Sequence, residues 1–151
     1  MIAVVAPAKI NLFLRICGKI DAGYHLLDSV IVFTRFGDHL TIELADDDQL
    51  AITGEFASEL DSADDNLVMI ALKGFRAAGG VIRGLSITLE KNIPVGAGLG
   101  GGSADAAALL RAVNTLSTTP LGSDALNRLA AKLGADVPAC LAGGCQRIAG
   151  I

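Results

Sequence analysis

The chain has 151 residues, a length that suits one domain with its own hydrophobic core. Hydrophobic residues make up 52% of it and charged residues 19%, a composition that excludes intrinsic disorder. The net charge of −4 argues against binding along a nucleic-acid backbone, because proteins of that class normally present a basic face. Cysteines at 17, 140 and 145 lack paired spacing, so we expect no disulfide scaffold and a reducing, cytoplasmic location.

Membrane and metal-binding classes are also disfavoured. The apolar start of the chain, residues 1–14, lacks a basic leader and contains Pro7 and Lys9, so we expect neither a signal peptide nor a membrane span. The two histidines lie far upstream of the last two cysteines, and no metal site is predicted. Residues 43–65 hold many carboxylates and no basic residue, and we interpret them as a solvated loop and hairpin. The rest of the chain is therefore net positive, which would favour an anionic substrate.

The first third of the chain is predicted to form β-strands. Alternating residues predict a strand over 9–14, and β-branched and aromatic residues predict another over 30–36. The pair Gly37-Asp38 is then expected to turn the chain into a third strand over 39–44. A short strand is predicted over 49–53.

Apolar spacing predicts helices in the remainder. The predicted elements are a helix over 66–78, a strand over 85–89, a helix over 104–116 and a further helix that Gly134 ends. We expect Asp65 and Ser103 to cap the first two helices, and Ser123 or Asp124 to cap the third. Strands come first and helices later without strict alternation, so the fold class is α+β.

A glycine-rich loop, residues 94–103 with the sequence PVGAGLGGGS, is the most informative segment. It follows a predicted strand and opens a predicted helix, so its N–H groups and the helix dipole would form an anion site. The hydroxyl of Ser103 is also suited to face a phosphate or Mg²⁺. The alternative is a flexible hinge, which does not require a well-capped helix directly after it.

The loop does not match either of the two common phosphate-binding patterns in its context. Gly96-x-Gly98-x-x-Gly101 fits the dinucleotide fingerprint, but a predicted loop at 117–122 follows the helix where a Rossmann unit needs a strand. A Walker A loop would need lysine where Gly102 stands. A lysine that contacts the phosphates must therefore come from elsewhere, and Lys9 and Lys91 are the candidates.

Lys9 and Asp136 are polar residues that call for an explanation. Lys9 shares a strand face with Asn11 in an apolar segment, and Asp136 lies just past a helix end, before a residue that Pro138 holds extended. Each residue also has a purely structural interpretation: Lys9 as a lysine at the edge of a sheet, and Asp136 as an aspartate in a turn. Together they would supply a carboxylate that deprotonates a hydroxyl and a cation that holds its charge, as phosphoryl transfer requires.

Three segments resemble the GHMP small-molecule kinases. Pro7-Ala-Lys-Ile-Asn-Leu12 and the glycine loop resemble the first two signature motifs of that family, and Gly134-Ala-Asp-Val-Pro138 resembles its catalytic aspartate region. Within the family, Gly23-Tyr24-His25 and the triple glycine at 100–102 are most similar to members that act on a cytidine-diphosphate-linked methylerythritol in non-mevalonate isoprenoid synthesis. Kinases of the homoserine or mevalonate type and a non-catalytic nucleotide-binding module are the alternatives, and a Rossmann oxidoreductase is a more distant one.

The resemblance implies ATP-dependent phosphorylation of a hydroxyl on that small molecule, with Mg²⁺ and without nucleic-acid or membrane partners. By position, Asp136 is the base, Lys9 its charge partner, Asn11 a contact to the erythritol, and Tyr24 and His25 the cytosine readers. The implied ATP site consists of Asn66, Lys91, Pro94, Val95, Gly96, Ala97, Gly98, Leu99, Gly100, Gly101, Gly102, Ser103 and Ala104.

The resemblance also implies a fold and a domain organisation. The family has an α+β half similar to domain 2 of ribosomal protein S5, with a left-handed crossover, followed by a ferredoxin-like half. Because this chain ends at Ile151, we expect residues 1–151 to be the N-terminal domain of a truncated chain that lacks the ferredoxin-like domain.

Overall fold

A five-stranded sheet forms the frame of the structure, a computed structural model that describes residues 1–19, 25–60 and 65–150. The strands are β1 (Ile2–Lys19), β2 (His25–Ala45), β3 (Gln49–Thr53), β4 (Gly84–Glu90) and β5 (Gln146–Gly150). β1 and β2 form a long antiparallel ribbon, and β4 and β5 pair antiparallel with opposite ends of β2. β3 lies parallel to β4, giving the order β1-β2-β4-β3 with β5 beside β2.

Within the described part of the chain, four α-helices complete the fold. They are α1 (Leu67–Ala77), α2 (Gly101–Leu116), α3 (Ser123–Leu133) and α4 (Val137–Ala142), and a single 3-10 turn lies at Ala57–Glu59. The predicted α+β class is confirmed, as are the strand at 49–53 and the first three helices to within a few residues at their ends. The β-pairing of residues 117–122 is limited to an isolated bridge between Thr119 and Val81, so helix α3 and not a strand comes next after α2, and a Rossmann unit is excluded.

The hydrophobic core lies between the sheet and helices α1 and α2. Alternate residues of β4 are buried, as the pleat of a strand with one covered face requires. Phe75 of α1 is fully buried in this core, and alanines cover the inward side of α2. Their small side chains let α2 approach both β1 and α4, and this approach brings the start of α2 close to Lys9 and Asp136. Among the described helices, none is both long and apolar enough to cross a membrane.

The predicted turn at Gly37-Asp38 is wrong, because β2 continues through both residues. Gly37 is paired with Pro7 of β1, and a Cβ on Gly37 would lie 2.2 Å from the carbonyl oxygen of Ala6. The glycine therefore permits a close approach of two strands rather than a reversal of the chain. Asp38 is fully buried instead of lying in an exposed turn.

The predicted helix caps are also wrong. Asn66, not Asp65, caps α1 by accepting the N–H of Val68 at 2.9 Å. Gly100 in the left-handed conformation (φ +67°) is the N-cap of α2, and Ser103 lies inside the first turn. Ser123 and Asp124 likewise lie within the first turn of α3, whose N-cap Gly122 makes no side-chain bond.

Two elements near the end of the chain were not predicted, α4 and β5. Asp136 is the N-cap of α4, and Val137 is its first helical residue rather than an extended one. Pro138 is tolerated there because an N–H group in the first helical turn has no partner within the helix. Asp136 therefore lies at the positive end of the α4 dipole, as well as just after the negative end of the α3 dipole.

Candidate active site

The glycine loop connects β4 to α2 and is held open by left-handed backbone. Gly96, Gly98 and Gly100 have φ angles of +71°, +74° and +67°, a region that residues with a Cβ rarely adopt. A Cβ on Gly96 or Gly98 would meet no atom within 4 Å, so these glycines serve the backbone conformation and not internal packing. The loop thus presents bare backbone to the space beside it.

That space is a cavity of about 570 Å³, within the range of small-molecule sites. Its wall is made of the glycine loop and the first turn of α2, with residues from the start of α1 on the other side. The lining residues outside residues 94–103 are Leu60, Asp65, Asn66, Leu67, Lys91, Asp105 and Asp136. Because the first-turn N–H groups of a long helix border the cavity, an anion is favoured at that end.

Lys9 and Asp136 meet beside the loop. The Nζ atom of Lys9 lies 3.1 Å from Oδ2 of Asp136, and their side chains are 9% and 41% exposed. The N–H of Lys9 donates to the carbonyl oxygen of Leu99 at 2.8 Å, which joins β1 to the loop. A Cβ on Gly100 would lie 3.4 Å from Cβ of Lys9 and 3.9 Å from Oδ2 of Asp136, so the loop passes close against this ion pair. A carboxylate with a fixed cation therefore faces the anion-binding end of the cavity.

The short helix α4 positions Asp136. Arg111 of α2 donates from its guanidinium to the carbonyl oxygens of Cys140 (2.8 Å) and Leu141 (3.3 Å), near the C-terminal end of α4. Gln146 donates to two further carbonyl oxygens at that end, at 2.8 and 2.7 Å. Burial lowers the pKa of Arg111 and raises the pKa of the Cys140 thiol to about 11, so Cys140 is protonated at neutral pH and is no nucleophile.

A cluster of three charged residues lies beneath the loop. The Lys91 ammonium contacts Oδ2 of Asp38 at 2.5 Å and Oδ2 of Asp105 at 2.8 Å, and all three side chains are at most 4% exposed. Burial raises the pKa of Asp105 to about 7; Lys91 opposes this shift and the Asp38 carboxylate adds to it. Burial would lower the pKa of Lys91, but the carboxylates of Asp105 and Asp38 outweigh burial and raise it.

The structure brings most of the expected ATP-site residues together. Residues 94–103, Asn66 and Lys91 line the cavity, whereas Ala104 is buried behind it and donates its N–H to the carbonyl oxygen of Gly100. The Lys91 ammonium is already held by two carboxylates, so its charge is shared with them. Asn11 lies two residues from Lys9 on β1 and donates its amide to Oγ of Ser29 at 2.7 Å.

Tyr24 and the side chain of His25 lie outside the described residues, so their role stays a prediction. Sequence reasoning missed Asp38 and Asp105. The pair Gly37-Asp38 predicts a turn, which gives Asp38 no buried role. The signal for Asp105 was present, because a carboxylate stands among the alanines of an amphipathic helix, on the side that must be buried. Within residues 1–19, 25–60 and 65–150, no three His, Cys, Asp or Glu side chains group as metal ligands.

Comparison with known proteins identifies relatives over nearly the whole chain. Residues 66–144 match the family model of the GHMP kinases N terminal domain. A 4-diphosphocytidyl-2-C-methyl-D-erythritol kinase of Parvibaculum lavamentivorans is 51% identical over 136 residues, which are 90% of this chain and 47% of the relative. The protein of the same name from Paramagnetospirillum magneticum is 45% identical, over 99% of this chain and 52% of the relative.

A solved structure agrees with these sequence matches. The crystal structure of a 4-(cytidine 5'-diphospho)-2C-methyl-D-erythritol kinase superposes with a TM-score of 0.83 at 36% identity. The superposition covers 99% of this chain and 52% of the crystallised one. The chain thus spans about half the length of the curated relatives that it matches.

Proposed function

Because the chain belongs to the GHMP kinase family, we propose that it forms the ATP-binding part of a small-molecule kinase. The substrate is 4-diphosphocytidyl-2-C-methyl-D-erythritol, and the reaction transfers the γ-phosphoryl group of ATP to a hydroxyl of its erythritol moiety. The observation that carries the proposal is the Lys9–Asp136 ion pair at 3.1 Å, directly beside a glycine loop that borders a cavity of about 570 Å³.

Each part of this arrangement has a task in phosphoryl transfer. The triphosphate lies along the glycine loop, with its charge toward the first turn of α2. Asp136 accepts the proton of the substrate hydroxyl while the hydroxyl oxygen forms its bond to the γ-phosphorus, and the bond to the bridging oxygen breaks to release ADP. Lys9 stabilises the negative charge around the reacting oxygens and holds the carboxylate in place.

Mg²⁺ fits this site as a companion of the nucleotide. The ion usually binds phosphate oxygens and waters with only one or two protein oxygens, so it needs no dedicated cluster of carboxylates. Ser103 lines the cavity, and its hydroxyl is an oxygen donor of the type that Mg²⁺ prefers. When bound there, the ion would neutralise the developing charge on the phosphates.

The substrate is proposed from the relatives, whose names specify it, and from the segment resemblance at residues 23–25. Asn11 follows Lys9 on the same strand and would contact the erythritol, and Tyr24 and His25 would read the cytosine. Homoserine- and mevalonate-type kinases are the alternatives within the family, and their substrates serve as the comparison compounds in the test.

The test is a phosphorylation assay with γ-labelled ATP on the full-length product of the gene. We expect label transfer to the cytidine-diphosphate compound and none to homoserine or mevalonate. Transfer to either of these instead would reassign the substrate within the family. ATP binding without transfer to any of the three would favour a non-catalytic nucleotide-binding module.

A further inference from the structure

Three charged side chains from distant parts of the chain converge under the glycine loop. Asp38 comes from the middle of β2, Lys91 directly follows β4, and Asp105 comes from the second turn of α2. Their side chains are 0%, 4% and 3% exposed, so all three have been withdrawn from water. None of them is needed for the chemistry assigned above to Lys9 and Asp136.

The contacts of this cluster reach both ends of the loop. Before the loop, Oδ1 of Asp38 accepts the N–H groups of Asn92 at 2.6 Å and Ile93 at 2.8 Å. After the loop, Asp105 anchors the start of α2 through Lys91 at 2.8 Å. A Cβ on Gly101 would lie 3.3 Å from the Lys91 ammonium, so the first helical residue rests directly on the cluster.

Stability alone is a poor explanation for such a cluster. Burying charges costs several kcal/mol per ion, and replacing buried ion pairs by apolar residues of similar size is often neutral or stabilising. An apolar core would fill the space but would leave the N–H groups of Asn92 and Ile93 without the acceptor that they have now. The cluster supplies instead a defined connection between the two ends of a loop built of glycine.

Resting on the proposed function, we propose that Asp38, Lys91 and Asp105 form an ionic clasp that fixes both ends of the glycine loop and thereby sets its affinity for the triphosphate of ATP. The three are positioning residues, because they act through the loop backbone and do not contact the reacting atoms. The clasp keeps the loop in its left-handed conformation before ATP arrives, so less conformational freedom is lost on binding.

The test measures the dissociation constant of ATP by calorimetry on the full-length product of the gene. Asp105→Ala removes the anchor of Lys91 and should weaken ATP binding about tenfold, the ratio expected for one lost charge-assisted hydrogen bond. Asp48→Ala is the matched control, because Asp48 pairs with Arg76 and accepts the N–H of Leu85 at 3.0 Å. These contacts lie away from the loop, so this variant should lose stability without losing affinity for ATP.

Asp105→Asn keeps the contact, because its amide oxygen can still accept from the Lys91 ammonium. It should bind ATP within about threefold of the wild type, so that the conservative variant restores what Asp105→Ala loses. An affinity as low as that of Asp105→Ala would contradict a role for this contact in holding the loop.

The outcomes separate the clasp from the function on which it rests. A wild-type protein that does not bind ATP overturns the proposed function, and the clasp with it. If the wild type binds ATP and Asp105→Ala binds it equally well, only the clasp is overturned. If Asp105→Ala does not fold, Asp105→Leu takes its place, because its side chain fills the space without offering Lys91 an acceptor. ATP affinity in Asp105→Leu equal to that of the wild type overturns the clasp, and a loss of about tenfold supports it.

Discussion

Lys9 and Asp136 come from opposite ends of the chain, and different elements hold them in position. The backbone of Lys9 is bonded to the loop through Leu99 at 2.8 Å, and Asp136 starts a helix. Lys9 is nearly buried and Asp136 is 41% exposed, so the carboxylate is the member of the pair that a substrate can reach. This difference in exposure agrees with the base being Asp136 and the lysine being its fixed partner.

Asp136→Asn should therefore lower kcat by about 10²–10⁴ and leave ATP affinity nearly unchanged, since it removes a proton acceptor but keeps the shape of the side chain. Steady-state kinetics with calorimetry for ATP would measure both effects. Asp124→Asn, at an exposed position in the first turn of α3, is the control and should retain full activity. A decrease of less than about tenfold in kcat would remove Asp136 from the role of base.

At the level of elements, the six-residue helix α4 depends on its neighbours. An isolated helix of that length is unstable in water because nucleation is unfavourable. Contacts from Arg111 and Gln146 to carbonyl oxygens near its C-terminal end satisfy groups that a short helix leaves unpaired. The position of Asp136 at the other end of α4 thus depends on these two side chains.

Arg111→Ala should lower kcat about tenfold or more while changing ATP affinity less, because displacing a catalytic group by even 1 Å is costly. It should also destabilise the fold by about 1–3 kcal/mol through unpaired carbonyl groups. Kinetics and chemical denaturation would measure these effects. Arg128→Ala, an exposed arginine of α3, serves as the control. An unchanged kcat in Arg111→Ala would show that α4 holds Asp136 without this contact.

The glycine loop and α2 offer a matched pair of glycines that differ in backbone conformation. Gly98 has φ +74°, whereas Gly102 lies in the first turn of α2, and a Cβ at either would meet no atom within 4 Å. Gly98→Ala should cost about 1–2 kcal/mol of folding stability, since left-handed backbone disfavours a Cβ. Gly102→Ala should instead gain up to about 1 kcal/mol from helix propensity. Equal unfolding free energies in chemical denaturation would contradict the assigned loop conformation.

On the scale of the whole molecule, the sheet, α1 and α2 form a continuous core in which Leu40, Leu72 and Leu109 are fully buried. The candidate site lies at the edge of this core, where the loop, the start of α1 and Asp136 surround one cavity. A ligand in that cavity contacts several elements at once. Its binding is therefore coupled to the stability of the entire fold.

ATP should consequently raise the thermal midpoint of the chain. At about 100 times its dissociation constant a ligand adds about 2.7 kcal/mol, which for a domain of this size is about 5–10 °C. Adenosine should give a much smaller shift at equal concentration, because it lacks the phosphates that the loop is expected to hold. Thermal denaturation with each compound measures the difference. Equal shifts from both, or none with millimolar ATP, would contradict a triphosphate site at the loop.

Local patterns in the sequence are sufficient to predict part of the fold and part of the candidate site. Helices α1, α2 and α3 follow from apolar spacing, because each is long enough to show its period. The glycine loop is predicted from composition, since so many glycines between a strand and a helix indicate special backbone. The chemistry of phosphoryl transfer predicts that Lys9 and Asp136 act together. In the structure, Nζ of Lys9 lies 3.1 Å from Oδ2 of Asp136.

Contacts between residues far apart in sequence decided the rest. Gly37 looks like a turn locally, but the closeness of β1 requires glycine in a continuous strand. Helix α4 is too short to show a period and is held by Arg111 of another helix. The burial of Asp38 and Asp105 is explained only by Lys91, which contacts both carboxylates. The free energy of a buried charge depends on its partners in space and not on its neighbours in the chain.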